Sequence, residues 1–366
     1  MTVHTEILLI AIAVSIACAI PGVFLVLRRM SMMADAITHT VFLGIVLAFF
    51  VTEDLNSPLL LVGATLVGVG TVWLTEMIHN TGLVNEDASI GIIFPLLFSI
   101  AIILVSLYSG NAHLDVDTAL LGEIAFAPFD RWIVNGTDLG PVSLWISLGV
   151  ALINLVLVML FYKELQLSTF DPLLAGLFGF MPAIIHYVLM TMVSLTVVAS
   201  FQAVGAILVI GLMIGPAVIA YLWTDSVKAM LISSIIIGII CAVIGTEVAF
   251  TLDVSIAGAI ATTIGLALLI AVIGTPKTGY IATYRRQRHL RRHYRETMML
   301  CHIYTHMNTP VAAIENGIGT IHEHLNWKPD YTHQAASHLK KQGLLYVTNG
   351  YYMLTDKGVA QVKELI

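Results

Sequence analysis

Nine stretches of about twenty apolar residues, near 7–27, 35–52, 58–78, 89–109, 141–162, 178–198, 202–223, 228–250 and 254–274, run through the first three quarters of this chain. A helix rises 1.5 Å per residue, so about twenty such residues cross a hydrocarbon core of roughly 30 Å. Of the 366 residues, 58% are hydrophobic and only 11% charged, against roughly 45–50% and 25% in a soluble domain. A water-soluble fold could not hide that much apolar surface. The expected fold is therefore an all-α polytopic membrane protein of about nine transmembrane helices. The N-terminus lacks the positive region of a secretory signal, and its first run ends at Arg28-Arg29 without a small-residue cleavage site, so it reads as a retained helix. Its loosest boundary is the break between the sixth and seventh runs, placed at Ala199 to Gln202.

Charge divides the chain at one point. Residues 1–275 hold 5 Lys/Arg against 17 Asp/Glu, and residues 276–366 hold 12 against 6. A change from apolar and acidic to polar and basic marks a domain boundary, placed at Thr275-Pro276-Lys277. The expected organisation is a transmembrane domain over 1–275, a basic juxtamembrane linker over 276–295 and a small domain over 296–366. With the N-terminus outside, Arg28, Arg29, Lys163, Lys228 and Lys277 fall inside and Arg131 alone outside, as the positive-inside rule asks. The C-terminus is then cytoplasmic. That topology places Glu53, Asp54, Asp115, Asp117, Glu123, Asp130, Asp138 and Asp253 on the outer side. There they either concentrate cations or simply keep the loops solvated. The stretch Leu120 to Phe129 reads as a short interfacial helix.

The last segment has a signature of its own. Arg285, Arg286, Arg288, Arg291 and Arg292 suit a spacer lying on an anionic lipid surface. Helical stretches follow near 295–307, 310–318 and 331–342. Leu344 to Thr348 and Tyr351 to Leu354 then read as two strands joined by Asn349-Gly350, a pair that tolerates positive φ at both turn positions. A final helix begins near Asp356. This is the order of an α+β winged helix. Eight of the thirteen histidines lie here, including His302 with His306 and His322 with His324; they are either solvated surface groups or the start of a metal-sensing tail.

The chemistry belongs to the few ionisable residues inside apolar runs, because a charge at mid-membrane costs at least ~2.5–3.5 kcal/mol. Asp35 and His39 stand four residues apart, on one helical face. Carboxylate oxygen with imidazole nitrogen suits Mn²⁺, Fe²⁺ or Zn²⁺, and does not suit Cu(I), Ca²⁺ or Mg²⁺. The spacing also fits a helix cap at Asp35 with His39 in a packing hydrogen bond. Two ligands are too few for tight binding, and a second copy across a two-fold axis would double them. Glu247 stands either at the outer mouth of a pathway or snorkelled to the interface. Glu76, His79 and His186 receive no role. The loop from Lys163 through Pro172 is too apolar to face water bare, so a partner covers it, unless it is a solvated turn. No phosphate-binding loop is present: Gly274 to Thr278 lacks the required glycine before its lysine. The three cysteines, Cys18, Cys241 and Cys301, make neither a disulfide framework nor a zinc-finger spacing.

Over residues 5 to 274 the sequence resembles the permeases of bacterial ABC importers for manganese, zinc and iron. The resemblance rests on Leu27 through His39, on Glu86-Asp87 through Ile92, and on Lys163 through Pro172 followed by Gln202 through Ile210. It implies that Asp35 and His39 coordinate the transported metal. It implies that Ser168, Phe170, Asp171 and Pro172 lie in the element that docks on the ATPase. It also implies partners: ABC ATPase subunits, an extracytoplasmic metal-binding protein and a second permease chain, in a bacterial plasma membrane. The chain itself would be no enzyme and would carry no cofactor beyond its divalent cargo. Residues 296–366, which a typical member lacks, resemble the winged helix of iron- and manganese-dependent repressors, through Ala335 to Leu345 and Gly350 to Gly358. That tail keeps DNA binding open, and with it the alternative of a membrane-tethered, metal-responsive regulator.

Overall fold

The computed structural model describes residues 2–53, 57–108, 123–134, 137–275 and 279–365. Asp54, Asp115, Asp117, Leu120, Pro276 and Lys277 lie outside them. The chain falls into two compact units, Met1–Ile273 and Gly274–Ile366.

In the first unit, nine of the described helices are long and apolar enough to cross a membrane: α1 (Val3–Leu27), α2 (Ser31–Thr52), α3 (Leu59–His79), α4 (Glu86–Tyr108), α5 (Val142–Leu160), α8 (Pro182–Val204), α9 (Ala206–Trp223), α10 (Val227–Leu252) and α11 (Ile256–Gly274). Two shorter helices, α6 (Tyr162–Phe170) and α7 (Pro172–Leu177), fill the connection between α5 and α8. Among the described residues the outer connection holds a 3₁₀ turn, Ala127–Phe129; the start of the interfacial helix expected over Leu120 to Phe129 lies outside them. The connection continues into an unforeseen hairpin, β1 (Arg131–Val134) with β2 (Thr137–Pro141).

Helix α1 is the axis of this unit. Val14, Ala17, Cys18, Val23 and Phe24 are fully buried, and α5, α8, α9 and α10 pack around them. Lipid tails are as apolar as leucine, so helices in a membrane gain by close approach at small residues. A Cβ at Gly22 would overlap the carbonyl oxygen of Met213 in α9, and one at Gly44 in α2 would overlap Ala64 in α3. Side-chain bonds add register: the Asn154 amide of α5 donates to the Ala17 carbonyl at 3.1 Å and to the Thr196 hydroxyl at 2.7 Å, joining three helices. Helices α4 and α11 keep most of their apolar surface exposed, with Ile103, Leu107, Leu269 and Ile270 more than half accessible; that is the face for lipid or another chain.

Two boundaries differ from the sequence reading. Residues 199 to 202 are helical, and the break lies at Gly205, whose φ of 79° and ψ of 163° only glycine adopts readily. Helix α2 starts at Ser31, not Asp35, after a turn in which Arg29 takes φ of 61°. Asp35 therefore sits one turn inside the helix and caps nothing.

The second unit begins with α12 (Tyr280–His306), followed by α13 (Ala312–Glu315), α14 (Ile321–His324), α15 (Pro329–Lys341), β3 (Leu345–Thr348), β4 (Tyr351–Leu354) and α16 (Asp356–Leu365). The arginine-rich stretch expected as a spacer is helical from Tyr280 and continuous with the helix beyond it. The expected helix at 310–318 is a single turn, α13, and a second turn, α14, follows at Ile321–His324. Strands β3 and β4 pair antiparallel from Leu345 with Leu354 to Thr348 with Tyr351. Asn349 and Gly350 take φ of 50° and 82°, the turn that matches strand twist. Met299, Leu300, Ile303, Leu339, Leu345, Tyr352, Leu354 and Val362 form a separate core.

Candidate functional site

The helical register brings the Nε2 of His39 to 3.5 Å from the Oδ1 of Asp35. Two atoms bound to one ion at about 2.1 Å each stand roughly 3 Å apart, so little adjustment would let both ligate. The side chains are 33% and 41% exposed, open on one side to further ligands. On the other side His39 leans on two aromatic rings of α4, Phe94 with centroids 5.5 Å away and Phe98 at 6.0 Å. The Thr38 hydroxyl returns to the Asp35 carbonyl at 2.6 Å, keeping this turn regular. Hard and borderline donors at this spacing suit a divalent first-row ion.

Glu247 is not part of that pair. It lies near the other end of the bundle, where α1 begins and α10 ends, with its Oε1 3.4 Å from His4 Nε2. His4 in turn packs on Phe250 at 4.3 Å between centroids. At the same end the buried carboxylate of Glu6 takes both terminal nitrogens of Arg131 at 3.2 and 3.3 Å, and Arg131 Nε reaches Asp138 at 2.6 Å. These bonds tie the β1–β2 hairpin to the first turn of α1. The hydrogen bonds to Asp138 and Glu6 push the guanidinium up from its ordinary value, and the Gly140 amide and Arg131 hold the Asp138 carboxyl down.

The four residues expected in the docking element divide by role. Ser168 is buried, and its hydroxyl accepts from Arg28 Nη2 at 2.8 Å. Asp171 caps α7, its Oδ1 accepting from the Leu174 amide at 2.9 Å, and Pro172 is the first residue of that helix. Phe170 points outward, 62% exposed. With Leu173 at 84%, Leu177 at 85% and Phe178 at 69%, it makes an apolar face on the α6–α7 connection.

Sequence reasoning did not find what lies behind that face. Arg28, in the turn between α1 and α2, also donates from Nε to Thr169 at 3.1 Å and from Nη1 to His186 Nδ1 at 3.2 Å. Since Arg28 can only donate, Nδ1 accepts and the ring proton sits on Nε2, 2.8 Å from Glu76 Oε1 but off the line of a hydrogen bond. The Tyr187 hydroxyl donates to the other Glu76 oxygen at 2.6 Å. One chain of polar contacts thus joins the α1–α2 turn, α6, α8 and α3. The available signal was that Arg28, Glu76 and His186 each fall at the same end of an apolar run, where ionisable groups seldom stand alone.

The sequence matches the ABC 3 transport family over residues 2–275. It is 41% identical over 356 residues to the zinc transport system membrane protein TroD of Treponema pallidum, covering 97% of this chain and 96% of that one. That alignment takes in the second unit, so the C-terminal extension is shared and not peculiar to this chain. The manganese transport system membrane protein MntD of Bacillus subtilis is 44% identical over 281 residues, covering 77% of this chain and 95% of that one. Among solved structures, PsaBC from Streptococcus pneumoniae in complex with Fab superposes with a TM-score of 0.65 at 29% identity, covering 78% of this chain and 96% of that one.

Proposed function

This chain belongs to the ABC 3 transport family, and from that membership we propose that it is the multi-pass permease subunit of an ATP-driven importer that carries a divalent transition metal, Mn²⁺, Zn²⁺ or Fe²⁺, across the plasma membrane. The observation that carries the reading is the Asp35–His39 pair, a two-donor site for such an ion, in a chain whose relatives are named for zinc and manganese transport. Hydrolysis of ATP belongs to a separate subunit. The reading as a tethered regulator finds no support, since the relatives that cover the chain are named as transport membrane proteins.

Two donors do not complete a coordination sphere. A second permease chain facing the open side of Asp35 and His39 would supply two more, and an extracytoplasmic binding protein would deliver the ion. In the orientation that puts Arg28, Arg29, Lys163 and Lys228 inside, the α6–α7 face is cytoplasmic and takes the ATPase through Phe170, Leu173 and Leu177. Its movement would pull on Ser168 and Thr169, and through the Arg28 fork on the turn that starts α2. Asp35 lies five residues into that helix, so a shift at the docking face arrives at the metal pair. Glu247 would stand at the outer rim. Residues 296–366 fit a winged-helix domain in element order, able to meet DNA or protein through α15.

Uptake of radioactive manganese, zinc and iron by cells expressing the chain with an ATPase and a binding protein tests this. Asp35→Ala and His39→Ala should each abolish uptake while the chain still inserts, and a truncation after Thr275 should retain it. Normal uptake by Asp35→Ala would remove the pair from the path. No uptake of any of the three metals by the complete complex would overturn the substrate class.

A further inference from the structure

Among the described residues, one group of three metal-ligating side chains converges outside the membrane unit: His302, His306 and Glu315, with donor atoms all within 4.8 Å of one another. His302 and His306 share a face of the last turn of α12, their rings 4.8 Å apart. Glu315 ends α13 and turns back on them, its Oε2 4.0 Å from His302 Nε2. From α14, His324 Nδ1 reaches the same carboxylate oxygen at 3.0 Å. Three imidazoles thus crowd one carboxylate, more than an ion pair requires, since one carboxylate neutralises only one imidazolium.

The frame beneath the cluster is built. Asn316, fully buried, donates from its side-chain amide to the Ile303 carbonyl at 3.3 Å, and its backbone carbonyl accepts from the Tyr352 amide at 2.9 Å. Those bonds hold α13 against α12 and the hairpin, and keep Glu315 near the two histidines. His302 Nε2 lies 3.2 Å from the Glu315 carbonyl oxygen, which can only accept, so the ring is held there and ligation through that nitrogen would exchange its proton for the ion. His302 and Glu315 are 14% and 25% exposed, sheltered yet reachable by an ion.

We propose that His302, His306 and Glu315 form a binding site for a divalent first-row transition ion of the Zn²⁺ class, with His324 orienting the Glu315 carboxylate. Two imidazoles and a carboxylate suit zinc with a fourth position open to water. Without thiolate or thioether they do not suit Cu(I), and with two nitrogens they do not suit Ca²⁺ or Mg²⁺. The carboxylate that serves as ligand is itself held by an outer partner, the usual support of a metal site. Donors bound to one tetrahedral ion stand about 3.3 Å apart, so rotation of Glu315 and His306 closes the set. The ion would then bridge α12 and α13 and stiffen the second unit.

The test uses the full-length chain in detergent, carrying Asp35→Ala and His39→Ala so that the membrane pair does not contribute. After chelator treatment it is titrated with Zn²⁺ against a chromophoric chelator, and with Co²⁺ followed by visible absorption. One equivalent of Zn²⁺ and the absorption bands of four-coordinate Co²⁺ are expected. Adding His302→Gln with Glu315→Gln should weaken Zn²⁺ by more than about 100-fold, and His324→Gln by about 10-fold, as removal of an outer partner does. His333→Ala, exposed on α15, should change nothing. A parent that takes up no equivalent, or a double variant that keeps it, overturns the site. If circular dichroism shows that the double variant has lost helix, His306→Gln decides instead, because its side chain makes no hydrogen bond among the described residues. Retained affinity there overturns the site, and lost affinity with retained helix supports it. Transport plays no part in the readout, so failure here leaves the permease reading standing.

Discussion

Arg28 makes three side-chain contacts from one position, to Ser168, Thr169 and His186. A planar guanidinium serves several acceptors at fixed angles and an ammonium does not, so Arg28→Lys is not a conservative change here. It removes charge-assisted bonds worth roughly 1.5–3 kcal/mol each. The expected outcome is a chain that inserts and binds its ATPase but hydrolyses ATP without matching uptake, measured as a fall in metal transported per ATP consumed. Unchanged coupling would deprive this network of its role. Gly22 sets a different limit. A side chain there meets the backbone of α9 at Met213, which cannot step aside. Gly22→Val should lower the thermal stability of the purified protein, whereas Gly149→Ala, with open space at its Cβ, should not.

The α6–α7 connection shows how a short element can be rigid on one side and sticky on the other. Ser168 and the Asp171 cap hold it to the bundle, and Leu173 and Leu177 stand out from it. Exposed apolar surface of that kind marks a contact for a partner. Leu173→Asp with Leu177→Asp should abolish co-purification of the ATPase and leave membrane insertion intact; a complex that survives would place docking elsewhere. The break between α8 and α9 depends on a conformation reserved for glycine, with φ of 79° and ψ of 163° at Gly205. Gly205→Ala should cost about 1–3 kcal/mol, read as a lower midpoint of thermal unfolding.

At the scale of the whole molecule, the chain consists of a membrane bundle and a polar unit, each with its own core. Separate cores unfold separately unless the interface between them is large, so calorimetry of the full chain should show two transitions, of which a truncation after Thr275 removes one. A single cooperative transition would mean that the units are energetically one body. Nine spans, the number found among the described residues, would leave the two chain ends on opposite faces, so accessibility labelling of cysteines introduced at Thr2 and Lys363 should report opposite sides of the membrane.

The sequence by itself determined the nine spans, the change of character after residue 275 and the Asn349-Gly350 hairpin. These follow from run length, charge and φ preference, which are local properties of the chain. It also brought Asp35 and His39 together, because a spacing of four on a helix is a contact whatever surrounds it. Only the tertiary structure decided that Asp35 is no cap, since that depends on a turn at Arg29. Tertiary structure likewise joined Arg28 to Ser168 and His186, residues 140 and 158 positions away. It drew Glu315 and His324 to His302 as well, through a buried asparagine that joins α12 to α13. Contacts of that range carry no periodicity along the chain; they arise where packed helices happen to end on the same level, and packing alone selects them.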